Sequence, residues 1–263
     1  MNNQLSTINS QLKIIALALI LIFSGCSNKK ESTTDKKSGE KSEVQKEEEK
    51  AIPTDTAAYR KKNIALANGD TTGHWPIKGD KFPNEGAILP FKRIVAYYGN
   101  LYSKKMGALG EYPPKEVWRR LNIEVDAWNK ADSTTPVQPA IHYIAVVASG
   151  TPGKDGKYRT RMPSHQIDSA LAIAKMGNAI VFLDIQVALS NVQTEVPMLE
   201  KYLKMPQVHL GIDPEFSMKE GHRPGTKIGT MNETDINFCT DYLAKLYGKY
   251  LMWYLRYSPV WEK

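Results

Sequence analysis

The chain reads as an α/β protein with a parallel, (β/α) barrel-like core of the TIM type, incomplete toward its C-terminus. Three observations carry that expectation. Short apolar runs recur at Arg93–Gly99, Ala140–Ala148, Ala179–Gln186 and Val208–Phe216. Segments with apolar residues at helical spacing separate them, and such connections impose parallel pairing with right-handed crossovers. Polar residues gather at the C-terminal ends of the runs, where α/β folds place their chemistry. The near-continuous apolar character of the runs fits a sheet covered on both faces.

Composition sets the outer limits. At 263 residues, 41% hydrophobic and 24% charged, the chain can build one substantial core. Its net charge is +7, yet the bases are interleaved with acids and form no arginine-rich stripe, which argues against nucleic acid as a partner. There are two cysteines, Cys26 and Cys239. With Cys26 used as described next, Cys239 lacks a disulfide partner and reads as a small buried apolar residue in a helix.

Residues 1–25 have the form of an export signal: Lys13, then the ten-residue apolar run Ile14–Phe23. A bilayer span needs about 20 apolar residues, so this run matches the core of a signal peptide instead. Ser24-Gly25-Cys26 follows and resembles the bacterial lipobox, with Phe23 where Leu is preferred. The resemblance implies cleavage before Cys26, lipid on its sulfur and a membrane as partner. Ser27 after the cysteine favours the outer membrane, and several acyl chains give stable anchoring. Residues 26–53 then form a charged tether with almost no apolar side chain, which is expected to stay disordered.

The globular domain is expected over 54–263, with its core over 90–263. Thr54–Ala67 predicts a short helix capped by Thr54 or Asp55. Asn68–Pro90 is rich in Gly, Pro and turn residues and reads as a long loop or lid holding His74 and Trp75, the Trp read either as a core plug or as a ligand contact. The first strand, Arg93–Gly99, runs into Asn100. Pro113–Asp132 is a helix with prolines at its start and Val117, Leu121, Val125 and Trp128 on one face. The second strand, Ala140–Ala148, leads through a glycine-rich loop, Ser149–Pro163, to a helix over Ser164–Met176. The third strand, Ala179–Gln186, precedes a helix over Thr194–Lys204. The fourth, Val208–Phe216, is followed by a long loop and a helix over Asn232–Leu246.

Alternation then places candidate site residues. Phe182, Asp184 and Gln186 share one face of the third strand. Asp213 and Glu215 share a face with Gly211 on the fourth, with Pro214 ending the strand. Tyr98 and Asn100 join from the first strand. Paired carboxylates at strand ends suit acid–base work or glycosyl transfer, in which one acid keeps a proton and the other is ionised. Glu215 is the expected proton donor or nucleophile, Asp213 and Asp184 its electrostatic partners. Tyr98, Asn100, Gln186 and Trp75 would bind substrate. His142 and His209 lie inside strands and read as core histidines. No H-E-x-x-H, C-x-x-C or close His pair appears, so neither a metal nor another cofactor is expected. Gly150–Lys157 lacks the spacing of a phosphate loop, and there is no G-x-S-x-G elbow.

The segments Y-Y-G-N with M-G-A-L-G-E, F-L-D-I-Q, and G-I-D-P-E-F-S-M with later P-G, I-G-T and I-N resemble a family of secreted or lipid-anchored bacterial proteins. Its members carry a barrel similar to glycoside hydrolases. The resemblance spans Ile94–Leu246, bears on fold and location far more than on chemistry, and implies Asp184, Asp213 and Glu215 around one pocket; the paired carboxylates then make carbohydrate the expected ligand. Two other outcomes stay open: a non-catalytic surface lipoprotein binding glycan or peptide, and a shortened, inactive family member. The second arises because about 170 residues follow Pro90, whereas an eight-fold barrel takes about 250. Leu251–Tyr257 reads as a fifth strand or a continued aromatic helix.

Overall fold

The computed structural model describes residues 55–70, 72, 82–83 and 87–247. Cys26, the signal and tether, most of the Asn68–Pro90 loop including His74 and Trp75, and Leu251–Tyr257 lie outside the described residues. Among the described residues, no helix is long and apolar enough to cross a membrane.

Four parallel strands form the sheet: β1 (Arg93–Gly99), β2 (Val137–Ala148), β4 (Ile180–Ile185) and β5 (Val208–Ile212), neighbours in the order β1-β2-β4-β5. Spatial order therefore follows chain order, without the reversal of a doubly wound sheet. A short strand between them, β3 (Arg159–Arg161), lies antiparallel to the end of β2. It corrects the expected plain loop Ser149–Pro163. The backbone there turns through Tyr158 in the left-handed region and rejoins β2 through the Tyr158 carbonyl, which accepts from Ser149 N at 2.8 Å.

Helices connect the strands as their apolar spacing requires. α1 (Thr56–Leu66) is capped by Asp55, whose carboxylate accepts from the amides of Ala57 and Ala58. After β1 come α2 (Ala108–Glu111) and α3 (Pro114–Ala131), the latter started by the prolines. α4 (Ser164–Lys175) joins β3 to β4. The predicted helix over Thr194–Lys204 is two, α5 (Val192–Met198) and α6 (Glu200–Leu203), broken just after Pro197, whose ring and missing N–H interrupt the ladder. α7 (Glu233–Tyr247) follows β5.

The core lies on one face of the sheet. Ile141, Tyr143, Val181, Leu183, Ile185, Val208 and Leu210 pack there with Val117, Trp118 and Leu121 of α3 and Ile167, Ala170 and Ile173 of α4. Trp118 ties α3 to α4 by donating its indole N–H to the Ile173 carbonyl. Gly177 makes room for that ring, because a Cβ there would sit 2.3 Å from Trp118 Cζ3. Cys239 is buried in α7, and burial pushes its thiol up to about 12, consistent with an inert core residue.

Candidate functional site

The opposite face of the sheet carries a different set of side chains. In-register pairing aligns Tyr98 with His142, His142 with Phe182, and Phe182 with His209. Their rings form a row across four strands, with centroids 5.1, 5.4 and 5.4 Å apart. The next level toward the strand ends pairs Asp184 with Gly211. Beyond it stand Gln186 and Asp213.

Gln186 organises the top of this face. Its Nε2 lies 3.2 Å from the Tyr98 hydroxyl and 3.2 Å from Asp213 Oδ2, while its Oε1 accepts the Ala148 amide at 2.9 Å. One side chain thus links the ends of β1, β2, β4 and β5. Asp213 sits just past β5, with its amide still bonded to the Ile185 carbonyl at 3.2 Å. Burial, and then the neighbouring Asp184 carboxylate, push the Asp213 carboxyl up to about 6, against the hydrogen bond from Gln186. Burial and the same acids push the Tyr98 phenol up, so it stays a neutral hydroxyl. Burial pulls His209 down to about 4, so its ring is neutral.

Of the expected site residues, the structure brings Tyr98, Asp184, Gln186 and Asp213 together, but not Glu215 or Asn100. The fourth strand stops at Ile212, and Pro214–Phe216 turns as a 3₁₀ helix. The turn breaks the alternation that would have kept Glu215 beside Asp213. Glu215 is exposed at the rim; its carbonyl accepts the Gly229 amide at 2.6 Å, and its charge is felt by Asp213. Asn100 is a clip and not a ligand-facing group. Buried, it donates to the Ile144 carbonyl at 3.0 Å and accepts from the Tyr102 amide at 2.9 Å.

His142 was read as a core histidine, yet it stands on the site face beside Asp184, its Nε2 3.8 Å from Asp184 Oδ2. Strand alternation carried the signal, since His142 shares a face with Ala140 and Ile144 rather than with core-facing Ile141 and Tyr143. It was missed because the partners that make this face polar come from other strands.

The rim around the face is fixed by backbone contacts. Ala188, in the left-handed region, bridges to Ser217 beyond the strand ends, with its amide bonded to the Phe216 carbonyl at 2.7 Å. Gly229 passes so close that a Cβ would lie 2.3 Å from the Ser217 carbonyl oxygen. A groove of about 460 Å³ flanks this rim, lined by Ser190, Asn191, Ser217, Lys219 and Asp235 among others. Among the described residues, no group of three or more His, Cys, Asp or Glu side chains is placed to hold a metal ion. No protein-family model, no curated protein and no solved structure matches this chain.

Proposed function

We propose that this is a glycoside-hydrolase-like domain of a lipid-anchored bacterial envelope protein, acting on carbohydrate through Asp213 and Asp184. The observation that carries the reading is the pair of carboxyls on one sheet face, of which Asp213 is pushed up to about 6. Glycosidic cleavage needs one carboxylic acid to protonate the leaving oxygen and a second carboxylate to meet the positive charge on the sugar ring. Asp213 takes the first role and Asp184 the second, while Tyr98 and Gln186 orient the substrate. Glu215, at the rim, tunes Asp213 through its charge. Strand order that follows chain order supports a sheet belonging to a (β/α) barrel. The lipobox-like Ser24-Gly25-Cys26 supports attachment to the outer membrane through lipid on Cys26.

The test is hydrolysis of a panel of neutral and amino oligosaccharides by the full chain in detergent. Turnover should fall as pH rises through about 6, where Asp213 loses its proton. Asp213→Asn and Asp184→Asn should each lower kcat by about 10²–10⁴-fold, the usual range for a lost acid or base. Glu215→Gln should lower it less than about tenfold, as expected of a charge acting at a distance. Wild-type protein that binds oligosaccharides without cleaving them would leave a glycan-binding surface as the function. Protein that does neither sinks the carbohydrate reading. In the source bacterium, labelled palmitate should enter the wild type and not Cys26→Ser.

A further inference from the structure

The geometry points to His142 and Asp184 as a proton-relay pair, in which Asp184 fixes the imidazole and its Nδ1 acts as a proton acceptor on the polar face of the sheet, where the ring is partly exposed. The assignment rests on the carbohydrate reading for its chemistry, but the pairing can be tested without it. Asp184 is 3% exposed, and no hydrogen-bond donor among the described residues reaches its carboxylate. Neither Asp184 oxygen is wholly cut off from solvent, but a carboxylate this little exposed that accepts no hydrogen bond from a described residue calls for an explanation. The group nearest to it is His142, with Nε2 at 3.8 Å from Oδ2. That nitrogen is itself buried with no hydrogen-bond partner. Each group is what the other lacks, and closure by less than about 1 Å makes the bond at ordinary N–H···O length.

The surroundings keep the two groups facing each other. Gly211 lies opposite Asp184, and a Cβ there would come within 3.2 Å of both Asp184 Oδ1 and His142 Nε2. Tyr98 of β1 holds the imidazole edge-to-face at 5.1 Å, and Phe182 of β4 lies against it at 5.4 Å. The other titratable groups on this face are His209 and Asp213, from β5 and its end. Of the two ring nitrogens only Nε2 is buried without a partner, and 31% of the His142 side chain is exposed. Nδ1 is therefore on the accessible side. With a proton held on Nε2 by Asp184, Nδ1 carries a lone pair, the arrangement by which a carboxylate fixes the tautomer of a catalytic imidazole.

In hydrolysis the step balances as follows. Water oxygen bonds to the anomeric carbon while its proton passes to Nδ1, and the glycosidic C–O bond breaks as Asp213 protonates the leaving oxygen. The imidazolium then releases its proton to solvent, and Asp213 takes one back.

Long-range ¹⁵N–¹H spectra of the full chain at pH 8, with the His142 signal assigned by its absence in His142→Phe, test the pair. The expected result is the Nε2–H tautomer in wild type and a mixture in Asp184→Asn and in Gly211→Ala. An Nδ1–H tautomer, or a tautomer that Asp184→Asn leaves unchanged, overturns the pairing whatever the protein hydrolyses. Where oligosaccharide turnover is found, His142→Phe should lower kcat by about 10²–10⁴-fold with KM within about threefold. An unchanged kcat would make the pair structural and overturn the relay. Absence of turnover with the expected spectra would instead defeat the carbohydrate reading and the hydrolytic step while the pairing stands.

Discussion

Two acids near the same end of the sheet, Glu195 fully buried and Asp213 half-buried, are treated in opposite ways by this chain. Glu195, fully buried on α5, receives Arg159 Nε at 2.7 Å, Arg161 Nε at 2.7 Å and Nη2 at 3.1 Å, and the Ser190 hydroxyl at 2.5 Å. Burial alone would raise its pKa, yet these donors hold it below the usual carboxylate range. Asp213 has Gln186 as its side-chain donor, and its strongest electrostatic neighbour is another acid, Asp184. The difference separates an acid used to hold loops from acids left without a cationic partner. Glu195 fastens β3 and the β4–α5 loop around the rim. Asp184 and Asp213 are given no such cations, and strain of this kind marks functional groups more often than anchors.

The largest break in that contrast comes from Glu195→Gln. Removing one partner of a buried ion pair costs about 3–5 kcal/mol, because buried Arg159 keeps only the half-exposed Asp155 as counter-charge and Arg161 loses Glu195. Urea denaturation at pH 7 should show it. The sign with pH follows from the lowered pKa. Wild-type stability from this group is fully present above the ordinary Glu value of about 4.3 and is lost as pH falls through the lower folded value. The gap between wild type and variant should therefore narrow in acid. A loss under about 1 kcal/mol at pH 7 would erase the distinction between the two sites.

That contrast also explains what could be read from the chain and what could not. Parallel strands and most helix limits follow from local periodicity, and Arg93–Gly99 has the same bounds in sequence and structure. Asp184 and Gln186 were legible because β4 is regular to its end. Glu215 was not, because a proline-initiated 3₁₀ turn replaces alternation after Ile212. Arg159, Arg161 and Glu195 gave no signal, since their association joins segments about 35 residues apart and depends on β3 folding back onto β2. Asn100 looked like a strand-end ligand because the carbonyl it holds, that of Ile144, belongs to another strand.

A smaller effect sharpens the division between anchor and site. Asn100→Ala leaves the buried Ile144 carbonyl and the Tyr102 amide without their side-chain partner. The expected loss is about 1–3 kcal/mol, the penalty of unsatisfied buried polar groups, seen as a lower urea midpoint with unchanged slope. Oligosaccharide affinity should stay within about twofold, because the amide faces backbone. A clear loss of affinity with full stability would return Asn100 to the binding residues.

The smallest effect has the opposite sign. Because the Asp213 pKa is raised to about 6, the folded chain holds a proton that the unfolded chain releases near its ordinary value of about 3.9. The native state binds more protons between those values, so the contribution of this group to stability falls as pH rises from about 4 to 6 and stays low above. Asp213→Asn removes the penalty and can still accept the Gln186 amide. The variant should match wild type at pH 4 and exceed it at pH 8 by about 1 kcal/mol or less, since solvent screens a partly exposed carboxyl. In a domain of this size that is a rise in Tm of about 2–4 °C at most. A gain in stability joined to a loss of turnover is the mark of a site kept strained for function. Equal melting curves at pH 8 would mean the acids at the strand ends are as well satisfied as Glu195.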